Sequence, residues 1–564
     1  MVTGYTEGYT SVGHSPDLAR ILALPRRRLD SAHAAWLAER LTPKLAKRPG
    51  VFLRPWQAQA LYEIATCRGA FLGMPVGLGK TLLSLLTPFV LGSKRPWLII
   101  PGGQRDKTAR DFRALMADWV VPNPPPVVHS FEELHNVDAV DLLEAEAPDS
   151  IFIDEGDKLR SWDIAVTNRI GRYRNQNQDC PIIVATGTPG RNSIRDYSHL
   201  MVWALMGGAP VPIDPDELQA WADALDEKPR GMRNGLGALT QLGGGDLTSV
   251  RRAYHQRLAE TPGVIIVDDT ECDVPLTIRQ VAAPVDPVLE GHFKVFRTLE
   301  RTPDGWDTSD AFSKIRHANE LGSGIYYRWN PRPPQYFIDS RRAFCTLVRN
   351  QIELTRDGVN PLDTTAAVTN AFRKHPVVTA WQEAKKRFIP STEVVWLSGS
   401  VVYTAAQWLA QHPTGLVMAE HVSVGEAIAE VAQLPYFGQG GKDRSGRSIE
   451  HHTGAAVLSL HANKRGRNLQ HHHHEILVIG WPSAARDVEQ FIGRVHRYGQ
   501  TKPVLVEVLV TCRDTLEAFA KSEAEARFVQ STLGLTQKLL RAQIERLTFD
   551  PLHDKTFRFG ENHR

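Results

Sequence analysis

The stretch Gly73-Met74-Pro75-Val76-Gly77-Leu78-Gly79-Lys80-Thr81 constrains this chain more than any other. A short apolar run enters it, and the helical pattern Leu82–Phe89 leaves it. A strand, a glycine-rich turn and a helix in that order belong to a parallel α/β sheet. Gly77 and Gly79 let the backbone amides turn inward, and the N-terminus of the following helix favours a bound anion. In such a loop Lys80 reaches the β- and γ-phosphates of a nucleotide, and the Thr81 hydroxyl ligates Mg²⁺. The first glycine of the general pattern is missing, since Met74 stands there. Taken alone, the stretch could also be a turn that only connects strand to helix.

The rest of the chain extends the α/β reading. At 564 residues it exceeds a single core, and three or four structural units are expected. Short β-branched runs at Trp97–Ile100, Ile151–Ile153 and Ile182–Ala185 alternate with helical stretches. The alternation returns at Glu393–Leu397, Leu416–Ala419, Ala455–Leu460, Ile476–Trp481 and Val504–Val510. The expected organisation is an N-terminal helical accessory segment over 1–50, a first α/β domain over 51–206 and an insert or linker over 207–284. A mainly helical insertion over 285–390, a second α/β domain over 391–512 and a C-terminal helical brace over 513–564 complete it. In the accessory segment Ala34, Trp36, Leu37 and Leu41 are spaced to share a helix face, and Leu533, Leu535, Leu539, Leu540 and Ile544 form a stripe near the end.

Two further segments carry chemistry. The apolar run Ile151-Phe152-Ile153 delivers Asp154 and Glu155, which suits a magnesium carboxylate and a group that orients the attacking water. By itself it is also a common acidic turn. Far downstream, Gln490-Phe491-Ile492-Gly493-Arg494-Val495-His496-Arg497 places two arginines three apart, on one face if the segment is helical. Either guanidinium could reach a γ-phosphate as an arginine finger, and Gln490 could help sense the nucleotide.

Together these segments resemble the superfamily-two helicases, in particular the Swi/Snf-type DNA-dependent ATPases, with a compact phage or bacterial member as the nearest type. Leu53-Arg54-Pro55-Trp56-Gln57 resembles the family's adenine-reading segment, which assigns Gln57 to ATP binding. Ile99-Ile100-Pro101 and Val128-His129-Ser130 stand where the family touches the nucleic-acid backbone, which implies that role for Pro101 and Ser130. Ala185-Thr186-Gly187-Thr188-Pro189 resembles the coupling segment, through Thr186 and Thr188. The stretch Ser459–Leu469 resembles the segment that grips the phosphate backbone through Asn468, here with Lys464, Arg465 and Arg467 adding charge. Where the family carries His after Asp-Glu-Gly, this chain has Asp157.

The resemblance implies two tandem RecA-like domains that hydrolyse ATP with Mg²⁺, closing and opening around the nucleotide. Movement on DNA in replication, recombination or repair is the expected activity, with glutamate and arginines serving turnover. Duplex translocation without strand separation and an ATP-gated nucleic-acid clamp are the alternatives. Single- or double-stranded DNA is the expected partner; RNA and a single-strand-binding or other replication protein are further candidates.

Composition sets the outer bounds. Lys and Arg exceed Asp and Glu by only 3, which neither demands nor excludes nucleic acid, since a motor needs a basic groove rather than a basic surface. Five scattered cysteines and no long apolar run suggest a reducing cytoplasm, the host's if the chain is phage-encoded, and no membrane partner. The run His471–His474 invites a metal reading, but it has no Cys partner and leads straight into a strand. The aromatics Tyr326, Tyr327, Trp329, Tyr336 and Phe337 interleave with Arg328, Arg332, Arg341 and Arg342, which suits either single-strand stacking or, preferably, an insert core with a basic face. The runs Arg26–Arg28 and Lys385–Arg387 read as solvated faces.

Overall fold

The computed structural model describes residues 11–547, apart from 28–29, 76, 162–163, 228, 230–232, 269–271, 285, 309, 356–361 and 464–466. Val76, Lys464 and Arg465 therefore lie outside the described residues. The chain is α/β, with two parallel sheets and many helices. It divides into two compact units. The first comprises 1–270, 355–367 and 525–537, and the second 271–354, 368–524 and 538–564.

The first unit is built on β1 (Ala70–Gly73), β2 (Pro96–Ile100), β3 (Val127–Ser130), β4 (Ser150–Asp154), β5 (Ile182–Thr186) and β6 (Val264–Ile266). They lie in the order β3-β2-β4-β5-β1-β6, all parallel. Successive side chains of a strand point to opposite faces. Phe71, Trp97, Ile99, Ile151, Ile153, Ile182 and Val184 accordingly enter one core. Leu72, Leu98, Ile100, Phe152, Ile183 and Ala185 enter the other. Helices Ser31–Leu45, Pro55–Cys67, Lys80–Leu91 and Arg105–Asp118 cover the second face. Both faces are buried, which is why the strands read as unbroken apolar runs. Each large side chain withdrawn this way contributes roughly 1.5–3 kcal/mol.

The second unit holds β7 (Leu276–Ala282), β8 (Ile325–Trp329), β9 (Thr392–Trp396), β10 (Leu416–Ala419), β11 (Tyr436–Phe437), β12 (Ala456–Ser459), β13 (Glu475–Ile479), β14 (Val504–Val510) and β15 (Gln543–Glu545). Seven of them form a parallel sheet in the order β11-β12-β10-β13-β14-β7-β15. Val417, Val457, Leu477, Ile479 and Leu509 pack on one face against helices Ser400–Gln411 and Val422–Ala432.

Four expectations from sequence change here. The segment 207–284, read as insert or linker, supplies β6 to the first sheet and β7 to the second. Thr277, Arg279 and Gln280 interrupt the apolar pattern of β7, which hides it. Glu393–Leu397 does form a strand, β9, but it pairs antiparallel with β8 in a separate ribbon tied by Arg328 to Glu393. Ile544 does not continue a helical stripe. Gln543–Glu545 adds to β7 as an edge strand, because the open backbone groups of β7 offer a partner that helical periodicity cannot reveal. Trp36 leaves the shared face expected of it: Ala34 and Leu37 are buried while Trp36 is 45% exposed.

Of the aromatics in the helical insertion, Tyr326 and Phe337 are core residues, and Phe337 packs on Trp381 and Phe388. Among the described residues no helix is long and apolar enough to cross a membrane.

Candidate active site

In a parallel sheet all strands end on one edge, and ligands gather there. In the first unit, β1 is flanked by β5, and β5 by β4. Register pairs Gly73 with Thr186 and Asp154 with Ala185. The loop after β1, the turn after β5 and the carboxylates after β4 therefore emerge side by side. The expected residues Gly77, Gly79, Lys80, Thr81, Asp154, Glu155, Thr186 and Thr188 all lie on this edge.

The loop is shaped by its glycines and held by its neighbours. Gly77 and Gly79 have φ of 105° and 80°, conformations that side chains disfavour. Gly79 caps the helix Lys80–Leu91, and a Cβ there would sit 2.7 Å from Gln57 Nε2. Gln57 is buried; its Oε1 accepts from the Arg54 amide at 3.0 Å, and its Nε2 donates to the Leu78 carbonyl at 3.4 Å. It thus ties the start of helix Pro55–Cys67 to the loop. On the other side the Met74 amide donates to the Thr186 carbonyl at 2.8 Å. A Cβ on Gly187 would lie 3.0 Å from the Met74 carbonyl oxygen, so the two backbones are in close contact.

The charged groups follow. Lys80 is 8% exposed, and its ammonium donates to the Met74 carbonyl at 3.1 Å across the loop's own mouth. Burial pushes the Asp154 carboxyl up to about 6; the Lys80 ammonium opposes that shift and the Glu155 carboxylate adds to it. Glu155 is buried with φ 59°, a left-handed conformation that turns the chain sharply after β4. Asp157 is 1% exposed and so is an interior acid. Thr186 Oγ1 accepts from the Thr188 amide at 3.1 Å, and both threonines are buried. A lysine, a hydroxyl at a helix start and a carboxylate short of neutralising charge form a donor set that fits a phosphate and a divalent cation.

Pro101 and Ser130 stand farther along the same edge, after β2 and β3. Ser130 is 5% exposed and caps the short helix Phe131–Leu134, its Oγ accepting from the Glu133 amide at 3.1 Å. Pro101 is buried at the start of a one-turn 3-10 helix.

In the second unit the arginine segment departs from the expected helix. The helix Ala485–Ile492 ends before both arginines, and residues 493–499 are turns and bends. Two amides, of Val495 and His496, converge on the Ile492 carbonyl, which closes the last turn. Arg494 is 3% exposed and works as an internal clamp. Its Nε and Nη2 donate to the Gln490 carbonyl and Oε1 at 2.8 and 3.0 Å, and its Nη1 to the Arg467 carbonyl at 3.1 Å. Arg497 is only half-buried, and its Nη1 donates to Asn468 Oδ1 at 2.7 Å. The structure so brings together Gln490, Arg494, Arg497, Arg467 and Asn468.

Glu450, which the sequence did not point to, accepts from the Asn468 amide at 3.1 Å and pairs with Arg467 at 3.8 Å. No local pattern links it to a segment 18 residues on. His473, from the histidine run, is buried between the carbonyls of Thr414 and His452 at 2.9 and 3.0 Å. Comparison with protein-family models gives no match, and no curated protein matches the chain.

Proposed function

We propose that the chain is a nucleic-acid-dependent ATPase of the superfamily-two helicase kind, with RecA-like units coupling ATP hydrolysis to movement on DNA. The observation that carries this reading is the meeting of Lys80, Thr81, Asp154 and Glu155 at the ends of β1 and β4, with the Thr186–Thr188 turn between them. A connecting turn needs neither a buried lysine nor a carboxyl held up near 6.

Within it, Lys80 and the amides of the loop hold the β- and γ-phosphates, and Thr81 and Asp154 hold Mg²⁺. The ion supplies charge neutralisation for phosphoryl transfer. Glu155 orients the attacking water and draws its proton. Gln57 fixes the loop that carries Lys80. Thr186 and Thr188 relay the state of the γ-phosphate to the strand-contacting edge. Arg497 is the better candidate for the finger that meets the transferring phosphate, because Arg494 is already spent on three internal hydrogen bonds.

Lys80→Ala should abolish ATP hydrolysis and leave nucleic-acid binding intact, whereas Glu155→Gln should bind ATP and turn over at least about 100-fold slower. Hydrolysis by the Lys80→Ala protein at the wild-type rate would overturn the proposal. Forked-duplex and triplex substrates, assayed side by side, then separate strand separation from translocation on duplex.

A further inference from the structure

The N-terminal helix Ser31–Leu45 buries Ala34, Leu37, Ala38 and Leu45 in the core. A neighbouring face stays in solvent and is not an ordinary polar one. His33, Trp36, Arg40 and Lys44 follow at spacings of three, four and four residues, which stacks them within about 80° of helix arc. The His33 and Trp36 rings are stacked at 5.5 Å with 21° between planes. The Arg40 guanidinium lies 4.7 Å from the Trp36 ring centre. Tyr62, from helix Pro55–Cys67, meets His33 edge-on at 6.4 Å. Trp36 and Tyr62 are each 45% exposed, and His33, Arg40 and Lys44 are exposed as well.

A single exposed aromatic needs no explanation. Three rings and a guanidinium ordered into one ladder do, because their planar surfaces are kept from the core that lies one face away. Charge points the same way. Residues 26–48 carry seven Lys and Arg against Asp30 and Glu39, a local excess larger than the +3 of the whole chain. Arg26, Arg27 and Arg48 are taken by Glu260, Glu63 and Asp118. Among the described residues Arg40 and Lys44 make no ion pair, and they sit at the end of the ladder.

We propose that this face binds single-stranded nucleic acid. Trp36 holds His33 and Arg40 in line, bases stack on the planar surfaces of His33, Tyr62 and Arg40 so ordered, and phosphates contact Arg40 and Lys44. A duplex buries its base faces and presents phosphates, sugars and base edges, none of which can stack on the rings, so the ladder selects unpaired strand. The site rests on the nucleic-acid part of the function proposed above and names where the first unit grips an unpaired strand. It requires no nucleotide, so the two proposals can fail separately.

The test is fluorescence anisotropy of the full chain with a labelled oligothymidylate of about 20 nucleotides, long enough to span such a platform. The Trp36→Ala/Arg40→Ala variant should bind roughly 10-fold or more weakly, as loss of base stacking does. Trp36→Phe keeps a ring and should stay within about 3-fold of wild type. Lys44→Ala should lower the slope of log Kd against log salt by about 0.7, the value for one phosphate of a single strand. Lys80→Ala should change none of these values. Wild-type protein that does not bind the oligothymidylate, or a folded double variant that binds it as wild type does, overturns the proposal. So does an equal loss on blunt duplex, or a loss confined to ATP affinity, which would give the ladder to the adenine instead. If hydrolysis is absent but binding still depends on Trp36, the ATPase reading falls and this site stands.

Discussion

At the scale of single residues, the site is a compromise between holding charge and staying folded. Asp154 titrates near 6, above the ordinary carboxyl value of about 4. Between those values the folded form binds more protons than the unfolded one, so stability falls as pH rises through that window. Above it the ionised carboxylate opposes folding, by on the order of 1–2 kcal/mol once screening is allowed for. Asp154→Asn should therefore melt a few degrees higher than wild type near neutral pH, lose the pH dependence between about 4 and 6, and lose magnesium-dependent hydrolysis. A variant that melts lower than wild type would contradict this account. Mg²⁺ with nucleotide should lower the same carboxyl pKa, because the ion supplies the charge that Lys80 alone does not.

At the scale of elements, the two arginines of the 490–497 segment have different jobs because the helix stops between Gln490 and Arg494. Arg494 turns back onto Gln490 and across to the Arg467 backbone. Arg494→Ala should thus cost roughly 2–3 kcal/mol of stability in the second unit, since buried acceptors lose their donor. Arg497 donates to the neutral side chain of Asn468 and keeps part of its surface in solvent. Arg497→Ala should leave the melting temperature within a degree or two but lower nucleic-acid-stimulated ATPase by about 1000-fold, as removal of a finger does. Thermal melts and steady-state hydrolysis on both variants check the division; equal effects on both measures would refute it.

At the scale of the whole molecule, the units are not the two halves of the chain. The first unit draws in 355–367 and 525–537 from far downstream. Within it the Asp363 side chain is 2% exposed and pairs with the equally buried side chain of Arg169, which donates through Nε at 2.7 Å and Nη2 at 2.9 Å. Phe528, Val529, Leu533 and Leu535 belong to the same core as Phe71 and Ile153. A fragment of residues 11–270 should accordingly fail to give a cooperative melt, because it keeps Arg169 without its carboxylate and leaves that core open. Asp363→Ala in the full chain isolates the first effect and should cost about 3–5 kcal/mol. A fragment melting as sharply and as high as the full protein would show that the downstream segments are dispensable.

Much of the fold was legible in the chain. Short β-branched runs buried on both faces announce parallel strands wherever they are unbroken, as at Trp97–Ile100 and Ile182–Ala185, and the glycine-rich turn before Lys80 announces a helix start. These are local signals, set by steric freedom and by hydrophobic period. β7 and β15 were not legible, because a polar-interrupted strand and a three-residue edge acquire their structure from the neighbour that hydrogen-bonds them. The same limit applies to the candidate site. Residue types and their order follow from sequence, but the hold of Gln57 and Thr186 on the loop before Lys80, the clamp made by Arg494, the support from Glu450 and the solvent-facing ladder at Trp36 depend on contacts between segments separated in the chain. Local periodicity can say which side chains share a helix face, while only the packing of that helix on its neighbours decides which face meets water.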